Sequence, residues 1–522
     1  MTIYPTRTAA HVAVVGVAVL AVGIVLDQAV IAAWGGSMLV ALALARMVTL
    51  VSVMRIRAAG FEMLWVGSER VVRLHCGHSF ELEAEMRNRD TRAARYDRLR
   101  VIASPGIEAV ASPEAGEVPA SGSVRVRVRI KGKRVGYHGI HGLALEVRGA
   151  PGLFEVPLTF ANPFGIAVQP RALARALTLP EGGRSGTLAA AGRSGRARGD
   201  GTELRELREH QPGDPFRRIA WKASARRGVL VVREFEREER DVVLLVLDAS
   251  VELWSGPVGR APLDHAIDVV ATLAARHLGN GDPVGLHVVA GRDLAKLPAE
   301  TGRDQASRIA TALVEHTGVL DADRSGWDEA DLLLQVAEHL RPLDPHASSD
   351  LRQGDIDRLV QRASAVRAHA PFQRLQPYGR SARDRRLRRY AASFGMHLPA
   401  RLQPDHPRTV LALCELLSKA ARATSPAPSV IHVVAPAPDE THFAVLRATI
   451  RRLRAHRIAV RWTTPSLGSV AEEPVEPGAT RDPLRPAVEQ AVMTRAHAAQ
   501  RRAEAALRRL GIRLVRVGGA AA

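Results

Sequence analysis

Two short clusters in the first third of the chain carry the donors a transition metal takes, His75-Cys76-Gly77-His78 and His138-Gly139-Ile140-His141. Imidazole nitrogens and a thiolate complete a tetrahedral zinc site if the two segments meet. Both lie in stretches that alternate polar and apolar residues. In a strand His75 and Cys76 point to opposite faces, so at most one of them joins His78 without a bulge. Further on, Ser224 and His210 are the residue types of a nucleophile and its base, but the turn and helix between them provide no orienting third group. Asp241-Val-Val-Leu-Leu-Val-Leu-Asp248-Ala-Ser250 reads as a strand buried on both faces that ends in a carboxylate and a hydroxyl. The glycines of Glu181 to Gly201 could form a phosphate loop, yet no Gly-Lys-Ser/Thr ending follows and no strand precedes them.

The elements that must position these residues differ along the chain. At 522 residues, two or three folded units are expected, and 46% hydrophobic with 24% charged residues is a globular balance. The formal net charge of +19 favours anionic partners, a nucleic acid or an acidic membrane face. Against the nucleic-acid reading, the chain offers neither aromatic platforms nor a recognisable binding fold. The two cysteines, Cys76 and Cys414, are far apart and form no disulfide framework, which fits a reducing compartment.

Ala9 to Leu26 and Ala29 to Ala45 are apolar runs separated by Asp27-Gln28, each near the lower limit for crossing a hydrocarbon core of about 30 Å. A cleaved leader is the alternative for the first run, but the second follows at once without a clear cleavage site. Arg7 precedes the pair and Arg46, Arg55 and Arg57 follow it, so a transmembrane hairpin with both chain ends in the cytoplasm is expected. That reading makes the chain a multi-pass protein of the inner or cytoplasmic membrane.

The organisation expected is a transmembrane helix hairpin over 1–57, a β-sandwich-like domain over 58–175 and a flexible linker over 176–200. An α/β domain over 201–522 follows, with a helical insertion at about 325–420. Phe80 to Met86 and Val124 to Ile130 alternate without a break, as half-buried strands do. The arginines of the second are expected on a solvated face or a charged edge. The run Arg380 to Arg389 is expected on a solvated helical face. From Asp264 onward, helix and strand patterns alternate as in a parallel, doubly wound sheet.

The segment from Gly201 to Glu238 gathers Glu203, Leu207, Arg208, Glu209, His210, Pro212, Gly213, Asp214, Arg217, Ile219, Trp221, Lys222, Ser224, Ala225, Arg226, Leu230, Val232 and Arg233. A strand ending Asp248-x-Ser250 follows. In this order and spacing the segment resembles the signature of the domain of unknown function 58 family, with His210 where tyrosine is usual and Ala220 where aspartate is usual. The resemblance implies a membrane-tethered protein with a β-rich middle and a von Willebrand factor A-like domain. It also implies a partner, an AAA+ ATPase of the MoxR type; no enzymatic reaction is established for the family as a whole.

Asp214, beside Gly213, is expected to form a turn whose carboxylate accepts backbone N–H groups or pairs with Arg217 or Arg226, with Trp221 packed over it. Such a clasp is structural; the other readings of the segment are a partner-binding surface or a catalytic site. A von Willebrand A metal site wants Asp-x-Ser-x-Ser, an aspartate and two hydroxyls that hold Mg²⁺ and leave a position for a partner's carboxylate. Here Glu252 replaces the second serine, and Asp439 lies beyond two prolines from the strand that should present it. Asp248 and Ser250 are therefore expected to form a vestigial site, with no cofactor. The function expected is a membrane-anchored interaction scaffold, not an enzyme. The alternatives are a metal-dependent hydrolase or adhesion-type A domain, and a basic nucleic-acid-binding protein.

Overall fold

The computed structural model describes residues 3–148, 152–174, 193–239, 241–254, 256–344, 353–422, 427–438, 440–465 and 485–514. The chain opens with a short strand, β1 (Tyr4–Pro5), and two apolar helices, α1 (Arg7–Val25) and α2 (Ala29–Ala59), both long and apolar enough to cross a membrane. They approach closely because Gly23 and Gly35 face backbone: a Cβ on Gly23 would lie 2.3 Å from Ala32 N. At 31 residues α2 is roughly 46 Å long, more than an apolar core needs. Its last turns dock on the next domain through Val53, Ile56 and an Arg55–Asp90 ion pair of 2.9 Å.

Nine strands follow: β2 (Phe61–Trp65), β3 (Val71–His75), β4 (Ser79–Asn88), β5 (Ala94–Ala103), β6 (Ile107–Ser112), β7 (Gly116–Val118), β8 (Ser123–Gly132), β9 (Gly136–Arg148) and β10 (Phe154–Gln169). They form one sheet of order β2-β4-β8-β6 and another of order β1-β10-β9-β5-β7, with β3 paired to β10. The two alternating segments pair with each other, Phe80 opposite Ile130 and Met86 opposite Val124. Their apolar residues enter a core shared with Leu143, Leu145 and Phe164 of the other sheet. Arg125, Arg127 and Arg129 stay exposed, and Arg129 meets Glu81 across the strands at 3.3 Å.

Next come β11 (Arg193–Glu209), the short helix α3 (Trp221–Arg227) and β12 (Val231–Glu239), with β11 and β12 paired antiparallel from Arg193↔Glu239 to Glu209↔Val231. Residues 193–200, expected within a flexible linker, are thus in strand; 176–192 lie outside the described residues. The α/β part begins with β13 (Val243–Asp248), α4 (Pro262–Gly279), β14 (Val284–Val289), β15 (Asp293–Glu300) and α5 (Gly302–His316). Helices α6 (Glu329–Leu340), α7 (Gln353–Val366) and α8 (Ala382–Ser393) follow, then α9 (His406–Ala421), β16 (Val430–Val434), α10 (Phe443–Ala455), β17 (Ala459–Thr463), α11 (Arg485–Arg509) and β18 (Arg513–Leu514). The sheet order is β15-β14-β13-β16-β17-β18, parallel throughout except for the antiparallel β14–β15 pair. Helices α9 and α10 bury Leu413, Leu417, Leu446 and Ile450 with Ile431, Val433 and Trp462 of the strands.

The chain divides into two compact units, Met1–Val168 with Gly318–Arg401, and Gln169–Thr317 with Leu402–Ala522. The helical insertion therefore belongs with the β-sandwich and closes at Arg401. Helix α9, within the insertion expected at about 325–420, belongs to the α/β unit because its apolar face covers that sheet. Helices α6–α8 have a core of their own, including Leu332, Val336, Leu359, Leu387, Tyr390 and Phe394. They meet β9 where Gly139 leaves no room for a side chain: a Cβ there would lie 2.0 Å from the carbonyl oxygen of Phe394. The run Arg380 to Arg389 is not simply a solvated face. Arg388 is buried, and Arg383 reaches Glu329 and Asp357.

Candidate functional site

Asp248 ends β13, the strand from which the α/β sheet grows both ways. The chain leaves β13 through α4 to β14 on one side and returns much later through α9 to β16 on the other. In open α/β sheets, ligands bind at such a switch point, beyond the carboxyl ends of the strands. Asp248, Ser250, Asp405 and Thr409 are all buried there. Asp248 Oδ1 accepts the Ser250 N–H at 2.8 Å and a short hydrogen bond from the Ser250 hydroxyl. Ser250 Oγ lies 2.9 Å from Thr409 Oγ1, which accepts the Gly291 N–H at 2.7 Å and reaches the Asp405 carbonyl at 3.1 Å. His406 Nδ1 stands 3.4 Å from Asp248 Oδ2.

Thr409, Asp405 and His406 were not legible as site residues, because a whole helical insertion separates them from Asp248 in sequence. Glu252 is not placed as expected. Its Oε1 accepts the His406 N–H at 2.8 Å, at the start of α9, where a negative charge suits the helix N-terminus. Its other oxygen, Oε2, is buried without a hydrogen-bond partner. Asp439 lies outside the described residues.

The donor set can be tested against Mg²⁺. The 2.9 Å between Ser250 Oγ and Thr409 Oγ1 is close to the edge of an octahedron with bonds of about 2.0–2.1 Å, and the orphaned Glu252 Oε2 adds a hard donor. Asp248, Ser250 and Thr409 would hold such an ion. The same atoms also close an internal hydrogen-bond network, which satisfies them without one. Purified chain is expected to melt at the same temperature in Mg²⁺, Mn²⁺ and EDTA. An ion at a hundredfold excess over its Kd would instead stabilise the fold by about 2.7 kcal/mol, and Asp248→Ala would remove that gain.

The signature segment forms a second constellation. Arg208 grips Asp214 with two parallel bonds, Nη2 to Oδ1 at 2.6 Å and Nη1 to Oδ2 at 2.8 Å, and its Nε reaches the buried Glu234 at 3.4 Å. The Gln211 N–H adds 2.8 Å to Asp214 Oδ2. Hydrogen bonds from Arg208, then from Gln211, hold the Asp214 carboxyl down at about 2. Gly213 takes a φ of +104°, which a residue with a side chain rarely adopts. The partner expected for Asp214, Arg217 or Arg226, is replaced by Arg208 because β11 delivers its guanidinium to the turn.

Trp221 does not pack over this clasp: it is 62% exposed, with Phe216 74% exposed beside it in sequence and Val229 and Leu230 each 47% exposed. Arg217, Lys222 and Arg226 are exposed and form no ion pair among the described residues, and Arg233 is exposed on β12. Ser224 is buried, and its hydroxyl accepts the Val231 N–H at 2.9 Å and donates to the Ala220 carbonyl at 3.1 Å. It therefore ties α3 to β12, and no hydrogen bond joins it to His210 among the described residues.

The zinc arrangement is not assembled. His75 and His78 face each other with ring centroids 6.0 Å apart. His138 instead bonds the Arg134 carbonyl at 2.8 Å, and His141 bonds His339 at 2.9 Å. Cys76 Sγ points to the carbonyls of Gly132 and Lys133. No group of three or more His, Cys, Asp or Glu side chains that could hold a metal ion forms among the described residues.

Residues 206–364 match the family described as "Protein of unknown function DUF58". The chain is 32% identical over 105 residues to "Uncharacterized protein Rv1480" of Mycobacterium tuberculosis, and equally to "Uncharacterized protein Mb1516" of Mycobacterium bovis. Those matches cover 20% of this chain and 33% of each relative, so the chain spans about a third of the length of the curated relatives it matches. Among solved structures, the PapD-like domain 7 of human CEP192 is 14% identical with a TM-score of 0.16, covering 22% of this chain and 85% of that one. The E. coli chaperone DraB is 12% identical with a TM-score of 0.15, covering 22% and 57%. Likeness of that extent supports no conclusion about this chain.

Proposed function

We propose that this chain is a membrane-anchored scaffold that docks an acidic surface of a partner protein, an AAA+ ATPase of the MoxR type, on the exposed face of its β11–α3–β12 segment. The observation that carries this reading is the exposure of Trp221 and Phe216 on a segment whose backbone is held from beneath by Arg208, Asp214 and Glu234. A supported segment with outward aromatic side chains and with Arg217, Lys222 and Arg226 exposed and outside any ion pair among the described residues is how an interface anchors a complementary, acidic partner. The identity of the partner rests on the family resemblance alone.

Membrane anchoring through α1 and α2 belongs to the same reading. Residues 4–5 pair with β10, and the end of α2 docks on the same β-domain, so the two flanks of the hairpin meet one folded body. Arg7, Arg46 and Arg55 then put that body on the cytoplasmic side. A von Willebrand A-like, metal-dependent adhesion role is the second reading, favoured by the buried, unpartnered Glu252 Oε2 two residues after Ser250 in sequence.

Trp221→Ala separates a clasp from a docking surface. The melting midpoint should move by no more than about 0.5 kcal/mol equivalent, as for most surface changes. Capture of the ATPase by the full chain in nanodiscs should weaken by about thirtyfold, the loss of a roughly 2 kcal/mol anchor. Unchanged capture would overturn the assignment of this face.

A further inference from the structure

A cavity of about 420 Å³ lies between α9 and the β14–β15 hairpin, and nothing above uses it. Its apolar lining includes Leu244, Leu297 and Leu416, and its polar side chains include His287, Lys296 and Lys419. Strand pairing explains why the first two of these act together. His287 on β14 stands directly opposite Lys296 on β15, and in an antiparallel pair opposed side chains leave the same face of the sheet.

The polar groups are unevenly satisfied. His287 Nδ1 is buried without a hydrogen-bond partner, and burial, then the nearby Lys296 ammonium, push the ring's pKa down against the opposing pull of Asp293. Lys296 has no ion pair or hydrogen bond among the described residues, whereas Lys419 is held by Glu415 at 2.7 Å. Of the other charged groups on the lining, Arg292 has a partner of its own, Lys419 is held by Glu415, and Asp293 lies near His287. The Lys296 ammonium and the orphaned Nδ1 of His287 therefore sit together at one side of an apolar cavity large enough for a small organic molecule. A bare inorganic anion would leave the leucines uncovered. A neutral apolar molecule would leave the buried Nδ1 of His287 without a partner.

We propose that this cavity binds a small amphipathic carboxylate, its head against His287 and Lys296 and its apolar body against Leu244, Leu297 and Leu416. The site is separate from the docking face of α3, so either assignment can fail without the other. It does touch the Asp248 cluster, because Gly291 lines the cavity and gives its N–H to Thr409.

Fluorine NMR of the full chain in nanodiscs, with the carboxylate 4-(para-fluorophenyl)butanoate as the probe, tests it. Saturable line broadening is expected, about tenfold weaker for the matching primary amide, and competed poorly by inorganic phosphate. Lys296→Met, at an exposed position, should fold normally and weaken the carboxylate about tenfold, while Ala412→Trp, which fills the cavity, should abolish binding. Equal affinity for acid and amide, full competition by phosphate, no change in Lys296→Met, or no saturation below about 10 mM would each overturn the assignment.

Discussion

Arg388→Ala is expected to destabilise the unit formed by Met1–Val168 and Gly318–Arg401 by about 3–5 kcal/mol. The side chain is 2% exposed, and each of its three nitrogens donates a hydrogen bond. Nε meets Asp384 Oδ1 at 2.8 Å, Nη1 the Leu320 carbonyl at 3.0 Å and Nη2 the Trp327 carbonyl at 2.9 Å. Asp384 is equally buried and also takes the Arg380 N–H at 2.8 Å. Truncating the arginine strands a buried carboxylate and two carbonyls, and that desolvation, more than the lost attraction, sets the size of the effect. Lysine keeps the charge but not the fork, so Arg388→Lys should recover only part. Removing both charges, as Arg388→Met with Asp384→Leu, should be milder than Arg388→Ala alone. Hydrogen exchange across α6–α8 measures all three, and a double variant as damaged as the single one would contradict the account.

Acidification should loosen the same unit through its buried histidines. His138 is pulled down to about 4 by burial, and His141 likewise; His339 falls to about 3 through burial and then the neighbouring His141. Geometry agrees, since His339 bridges His141 at 2.9 Å and the Tyr390 hydroxyl at 2.9 Å inside the packed helices. His397 and Arg134 stand near His138 and oppose its charging as well. All these histidines titrate near 6.5 when unfolded. Above that value neither state is protonated, and the stability they allow is fully present. As the pH falls, the unfolded chain takes protons that the folded chain refuses, so stability is lost from about pH 6.5 down to about 4. For His138 alone the loss is roughly 3 kcal/mol, with a further contribution of similar order from the coupled His141–His339 pair. Denaturant unfolding at pH 7.5 and 5.0 should show the drop, and His138→Gln should lower its slope by up to about 1.4 kcal/mol per pH unit. An unaltered slope would remove His138 from the account.

The elements with a strong local period were legible from residues alone. The apolar runs became α1 and α2, the alternating segments became the paired strands β4 and β8, and the apolar stretch ending at Asp248 became the centre of the open sheet. What escaped depended on residues far apart in sequence. Nothing around Arg388 announces that its neighbours in space, Leu320 and Trp327, will bury it. Thr409 is 159 positions from Ser250, so the hydrogen bond that closes the Asp248 cluster had no local signal. Trp221 misled for another reason: a large aromatic among charges reads as buried by base expectation, whereas β11 reaches the turn first and Arg208 takes the place beside Asp214. The linker reading of 193–200 failed because glycine and arginine carry little strand propensity, and pairing with β12 overrides it.

The division of the chain also sets a timetable for its synthesis. Gln169 to Arg401 must leave the ribosome before the unit begun at the N-terminus is complete, a stretch of 233 residues. At about 5–20 residues per second that takes roughly 10–50 s. For that interval the surface of β9 around Gly139 and His141 waits without the helices that cover it. The nascent β-sandwich is then a half-finished body, exposed to chaperones and proteases until α8 arrives.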